Sequence, residues 1–179
     1  MKRIILSLAF GLIIGISNAQ TTVPGGVVSG TWTSSNSPYL VQGAIMIANG
    51  TVLTIDPGVR VEFQGDYKFL VLGQLLAIGT INDTITFTAT DTTSGWLGIR
   101  FDSTLSSNDS SKFFYCKFQY GKANGTSMIN MGGGLYFKNF SKAIISNKML
   151  KQHNSHCHFQ QCNRKQFSRF TRRCNLLLW

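Results

Sequence analysis

The chain has 179 residues and a formal net charge of +10 at pH 7, but this charge is unevenly spread. Positions 20–147 contain eight Lys or Arg and seven Asp or Glu, whereas positions 148–179 contain seven Lys or Arg and no acid. A nucleic-acid-binding protein carries its positive charge on a folded face. Because the longer segment is nearly neutral, we expect no nucleic-acid partner.

The first nineteen residues have the pattern of a signal peptide. Lys2 and Arg3 form a positive start, positions 4–16 are apolar, and Ser17 and Ala19 are small residues before a predicted cleavage. The apolar run is short for a membrane span, and an uncleaved anchor is the alternative. We expect an exported protein, secreted or at the outer cell surface, with no membrane span after cleavage.

Short β-strands are predicted through positions 20–147, which we expect to form one domain. Apolar and polar residues alternate with a period of two, and Gly, Asn, Asp and Pro separate the runs. The predicted strands are 44–47, 52–55, 59–63, 69–71, 75–78, 84–88, 96–101, 112–118, 135–137 and 143–146. The connections are too short for helices, which leaves a sandwich, a barrel or a β-helix.

The turns between these strands favour a parallel β-helix. Segments 56–58 and 72–74 are typical of bends in a coil, although segment 49–50 could close a hairpin. In a β-helix the inward side chains of successive coils stack into one core. The alternation predicts Ile85 and Phe87 inside, with the neighbouring threonines outside.

A second alternation surrounds Cys116. Phe114, Cys116 and Phe118 are predicted to face inward, and Tyr115 and Lys117 outward. No other cysteine lies between positions 20 and 147, so this segment cannot form an internal disulfide. We therefore predict that Cys116 is a small core residue rather than a reactive thiol.

A series of short segments has the pattern of a known repeat family. They are TVLTIDPGV at 51–59, VEFQG at 61–65, GQLLAIG at 73–79, ITFT at 85–88, GWLGIRF at 95–101, YCKFQY at 115–120 and GGGLY at 132–136. These segments resemble right-handed parallel β-helix proteins of the pectate-lyase-like, bacterial secreted kind, and the last resembles repeats of polymorphic outer-membrane proteins and adhesins. The resemblance covers about positions 28–147 and implies an all-β, right-handed solenoid. This fold carries lyases, hydrolases and adhesins alike, so it does not select an activity.

The resemblance implies action on polysaccharide, or in adhesion, at or outside the cell surface. Trp96, Tyr115, Tyr120 and Tyr136 are glycan-contact candidates, because aromatic rings on one outer face could stack on sugars. Packing in the core or at a coil end is the alternative for each of them. We expect a non-catalytic module that contacts a polysaccharide or cell-surface glycan.

An enzyme is the alternative function: the N-terminal part of a polysaccharide lyase or hydrolase whose active site lies in later coils. By resemblance, such a lyase holds calcium with clustered carboxylates and uses a basic residue as proton acceptor. Arg60 and Arg100 lie at outward positions and could serve as bases. The acids mostly adjoin turn residues; they are Asp56, Glu62, Asp66, Asp83, Asp91, Asp102 and Asp109. We assign no catalytic, cofactor-binding or metal-binding residue, and expect calcium only if the lyase alternative holds.

Positions 148–179 differ in kind from the preceding segment. They contain no Gly, Asp or Glu, and they hold all three histidines and three of the four cysteines. One interpretation is a zinc site, but the spacing does not match paired Cys-x-x-Cys or two closing histidines. A basic arm that binds a membrane or nucleic acid is a second interpretation.

A shifted reading frame is the third interpretation of this tail. Back-translating positions 159–179 and moving the frame by one nucleotide permits the peptide SNNVIENNSADLQGGAIYYC. This peptide has the Gly-Gly-Ala-Ile-Tyr pattern that echoes positions 132–136. We therefore expect positions 148–179 to be an aberrant, disordered tail. The chain would then be a frameshifted N-terminal fragment whose solenoid is incomplete at its C-terminal end.

Overall fold

The computed structural model describes residues 19–122, 133–139, 142–147, 149–151 and 160–162, with side chains described up to Asn147. This part contains seventeen short strands and one 3-10 turn, Ser34–Asn36. The strands are β1 Thr21–Val23, β2 Gly26–Val27, β3 Gly30–Trp32, β4 Tyr39–Val41, β5 Ile45–Ile47, β6 Val52–Ile55, β7 Arg60–Phe63, β8 Phe69–Val71, β9 Gln74–Ile78, β10 Ile85–Ala89, β11 Ile99–Asp102, β12 Ser111–Phe114, β13 Cys116–Gln119, β14 Leu135–Lys138, β15 Ala143–Ser146, β16 Met149–Lys151 and β17 Gln160–Cys162.

The strands form three parallel sheets, and each of the first five coils contributes one strand to each sheet. The first sheet has the order β1-β4-β7-β10-β13-β16, the second β2-β5-β8-β11-β14-β17, and the third β3-β6-β9-β12-β15. Every third strand is therefore a neighbour, which is the connectivity of a solenoid. Parallel crossovers are right-handed in almost all proteins. The chain is a right-handed parallel β-helix, as its alternation and short connections predict.

Inward side chains from successive coils stack into a single core. In the first sheet, Val61 pairs with Phe87, and Phe87 with Phe118. The rings of Phe87 and Phe118 are stacked, with centroids 5.1 Å apart and planes 6° apart. In the second sheet, Phe101 and Phe137 stack in the same way at 4.7 Å. Each coil thus buries its apolar residues against the next coil, and the predicted inward positions of Ile85 and Phe87 are confirmed.

A one-residue corner joins the third sheet to the first. Tyr115 has a φ of 48° and Asn147 a φ of 49°, both in the left-handed region. These residues follow Phe114 and Ser146, which are direct partners in the ladder. Tyr115 and Asn147 therefore occupy equivalent places in successive coils. A left-handed residue lets the chain change direction without an additional loop.

The corner at Tyr115 corrects one prediction. It divides the predicted strand 112–118 into β12 and β13, so the inward and outward alternation restarts. Phe113 is fully buried and Phe114 points outward, so the prediction that Phe114 faces inward is wrong. The predictions that Cys116 and Phe118 are buried are confirmed.

The first coil and β4 were not predicted. β1, β2 and β3 have only two or three residues each, and β2 and β3 each begin with a glycine at positive φ, Gly26 and Gly30. Runs this short carry little periodicity. They become strands because their backbone groups pair with β4, β5 and β6 of the following coil.

Two predicted segments fall largely outside the described residues. The predicted signal peptide lies at 1–19, of which Ala19 alone is described. Of the predicted aberrant tail, β16 and β17 are described, and they pair in parallel with β13 and β14. The boundary at Asn147 stays a prediction. Where the chain is described, no helix has the length and apolar character to cross a membrane.

Candidate functional site

The outer surface of the first sheet carries a row of polar side chains. Arg60, Thr86 and Lys117 are aligned on the adjacent strands β7, β10 and β13. Glu62 and Thr88 form a parallel row two residues further along the strands, and Gln119 follows on β13. We call these six residues the polar face. They alternate with the inward residues of the same strands. Five of the six are exposed or half-buried, whereas Thr88 is only 1% exposed, so the prediction that it faces outward to solvent is wrong.

Glu62 organises one end of the polar face. Its carboxylate accepts a hydrogen bond from Arg60 Nε at 2.9 Å and another from Thr90 Oγ1 at 3.1 Å. The Arg60 side chain remains 46% exposed, while that of Glu62 is 19% exposed. A guanidinium has five N–H donors, and the bond to Glu62 uses only the one on Nε. This bond fixes the orientation of the guanidinium, and the two terminal nitrogens point away from Glu62. Beside this pair, Gln42 donates to Gln64 at 3.0 Å.

Two of the four predicted glycan-contact residues flank this face. Tyr115 immediately precedes β13 and Tyr120 immediately follows it, and both are half-buried. Tyr120 has a φ of 56°, so it also lies at a corner, and its ring packs partly against the core. The two tyrosines remain glycan-contact candidates, at opposite ends of one strand of the polar face.

Trp96 lies in the core and not on the outer surface, where a glycan-contact residue would have to lie. It is fully buried, and its ring stacks on Phe63 with centroids 4.2 Å apart. Its indole Nε1 donates to the carbonyl of Gln119 at 2.8 Å. The structure thus places Trp96 as core packing beneath β13, the alternative stated above, and not on a surface where a sugar could stack.

Tyr136 lies on the outer side of the second sheet, not on the polar face. It pairs with Arg100 in the ladder, and the Arg100 guanidinium lies 4.5 Å from the centre of its ring. Tyr136 is only 1% exposed, and its hydroxyl has no hydrogen-bond partner within the described part of the chain. Its ring is therefore occupied by a cation–π contact rather than presented to a glycan.

The predicted bases and acids are distributed over several surfaces. Arg60 and Arg100 both point outward, as predicted, but from different sheets. Asp102 accepts hydrogen bonds from Ser103 and Asn139 at a corner of the second sheet. In the described residues, no group of three or more His, Cys, Asp or Glu has an arrangement that could hold a metal ion.

Cys116 is a core residue, as predicted. Burial raises the pKa of its thiol to about 12, although a hydrogen bond to the carbonyl of Phe114 acts in the opposite direction. A second contact joins Sγ to the carbonyl of Ala77 at 3.4 Å. The histidines and Cys157 and Cys174 of the predicted zinc alternative lie outside the described residues.

Comparison of the chain with protein-family models, curated proteins and solved structures finds no match. The class of protein is therefore defined by the three stacked parallel sheets alone. It is a parallel β-helix that carries a row of polar side chains on the outside of its first sheet.

Proposed function

We propose that the chain is an exported β-helix module that contacts a polysaccharide or cell-surface glycan through the polar face without cleaving it. The observation that carries this proposal is the alignment of Arg60, Thr86 and Lys117 on three adjacent strands. Hydroxyl, guanidinium, ammonium, carboxylate and amide groups then lie side by side on one sheet. The resemblance to pectate-lyase-like secreted proteins supports the same assignment.

A sheet surface of this kind suits a repeating ligand. Neighbouring strands are about 4.8 Å apart, so equivalent side chains recur at a fixed short interval along the solenoid axis. A polysaccharide likewise repeats its hydroxyl groups at a fixed interval. The strands are held by ladders on both sides, so little conformational entropy is lost when a ligand binds. Tyr115 and Tyr120 could add ring contacts at the two edges.

The test compares two identical substitutions on different sheets. Thr86→Ala removes a hydroxyl from the centre of the polar face, whereas Thr54→Ala removes one from the outer side of the third sheet. We expect oligosaccharide binding by the full chain, measured by calorimetry, to weaken about two- to tenfold in Thr86→Ala, which corresponds to about one hydrogen bond. Thr54→Ala should bind like the parent chain, with an unchanged circular dichroism spectrum.

Two further measurements separate this proposal from its alternatives. Tyr120→Asn removes a flanking ring at a position where Asn tolerates a left-handed backbone, and it should also weaken binding. Unsaturated products released from polyuronates, and abolished by a chelator, would instead support the lyase alternative. The proposal fails if no glycan binds, or if Thr54→Ala weakens binding as much as Thr86→Ala.

A further inference from the structure

The charged residues of the polar face lie in a regular order along the solenoid axis. The first row of the face reads cation, hydroxyl, cation: Arg60 on β7, Thr86 on β10 and Lys117 on β13. The two cations are separated by two strand spacings, or about 9.6 Å. This distance is comparable with the length of one disaccharide in an extended polysaccharide, so one sugar would lie over each strand.

We infer that the polar face selects an acidic polysaccharide in which charged and neutral sugars alternate, an inference that rests on the proposed glycan-contacting function. A carboxylate or sulfate on every second sugar would meet Arg60 and then Lys117, while the intervening neutral sugar meets the Thr86 hydroxyl. An additional anionic group over Thr86 would lose part of its hydration without gaining a cation. A neutral polysaccharide would offer no anionic group to either cation, and Arg60 would keep its contact with Glu62 alone.

The neighbouring charges are compatible with an anionic ligand. Glu62 is the one acid of the polar face, and its carboxylate is already engaged by Arg60 and Thr90. Between Asp109 and Asn147 the sequence contains no acid but five lysines. One of them, Lys122, extends to the carbonyl of Thr93 at 3.2 Å beside the first sheet. Lys117 and Lys122 therefore place two cations near β13, which favours the approach of an anion.

The experiment measures the affinity of the full chain for three oligosaccharide probes of equal length. These are hyaluronan, in which uronate and neutral sugars alternate, oligogalacturonate, in which every sugar is charged, and neutral cello-oligosaccharide. We expect hyaluronan to bind most tightly, by about tenfold over the neutral probe at low salt, and this preference to fall as salt screens the charges.

Two variants that each remove one positive charge, together with a control, show whether the preference for hyaluronan arises at the polar face. Because two cations share the expected tenfold preference, Arg60→Gln and Lys117→Gln should each reduce hyaluronan affinity about threefold more than they reduce affinity for the neutral probe. Lys112→Gln, on the outer side of the third sheet, should leave the preference intact. Equal affinity for all three probes, or tighter binding of oligogalacturonate, would overturn the charge pattern while the proposed glycan contact stands. If none of the probes binds and no other glycan does, both proposals fail.

Discussion

The stack of Phe87 on Phe118 provides the most direct test of the solenoid core. Phe87 is fully buried, lies 5.1 Å from the Phe118 ring and makes an edge contact with Phe113 at 6.5 Å. Replacing a buried Phe by Ala typically costs about 3–5 kcal/mol, and a ring pair adds about 0.5–1.5 kcal/mol beyond the buried area. Since domains are stable by only about 5–15 kcal/mol, Phe87→Ala should remove a large part of the free energy of unfolding.

The assay is urea unfolding followed by the fluorescence of the buried Trp32 and Trp96. With an m-value of about 2 kcal/mol per M, the expected loss lowers the unfolding midpoint by roughly 2 M. Thr86→Ala is the control, because it changes the outward neighbour on the same strand and should cost less than about 1 kcal/mol. If Phe87→Ala does not fold, Phe87→Leu keeps most of the apolar volume and tests the ring contact alone.

A double-mutant cycle shows whether the rings interact as the structure indicates. Phe87→Leu and Phe118→Leu, alone and combined, should give a coupling free energy of about 0.5 kcal/mol or more. A cost below about 1 kcal/mol for Phe87→Ala, or no coupling in the cycle, would refute the reasoning that coils are held by ring stacks.

Three other predictions concern single sites. Burial raises the pKa of Cys116 to about 12, so its thiol should resist iodoacetamide at pH 8 in the folded chain and react with it in urea. Mass spectrometry of the peptide that contains Cys116 measures the labelling, and equal labelling in both states would contradict its burial. Lys142 donates to the carbonyls of Ser106 at 2.7 Å and Asn108 at 3.2 Å, so Lys142→Met should speed hydrogen exchange in segment 103–110, whereas Lys117→Met should not. A Cβ at Gly73 would collide with the carbonyls of Ala48 and Thr51. Gly73→Ala should therefore destabilise the fold by about 1–3 kcal/mol and lower the Tm. An unchanged Tm would show that the backbone around Gly73 can relax.

The candidate site was only partly visible in the sequence. The alternation predicted outward positions for Arg60 and Thr86, which the structure confirms, and for Thr88, which is buried. It did not reveal that these residues share one face. That depends on the pairing of Arg60 with Thr86, across a connection whose length varies from coil to coil.

The four aromatic candidates illustrate the same limit. All four have the residue types that contact sugars, but Trp96 stacks inside on Phe63 and Tyr136 lies beneath Arg100 on another sheet. Tyr115 and Tyr120 flank the polar face because each lies at an end of β13. The chemistry of a side chain is known from its residue type, whereas its burial depends on residues that other coils place against it.

The sequence by itself located most of the strands between positions 44 and 146 and most of their inward residues, because a period of two is a local property of the chain. The predicted strand 96–101 begins only at Ile99, and the predicted strand 112–118 is two strands. It also indicated a solenoid, since the connections are too short for helices. Only the tertiary structure decided that Tyr115 forms a corner, that Phe114 therefore points outward, and that three polar strands lie side by side. These features depend on register between coils, which is fixed by the stacking of core side chains far apart in sequence and not by any neighbouring residue.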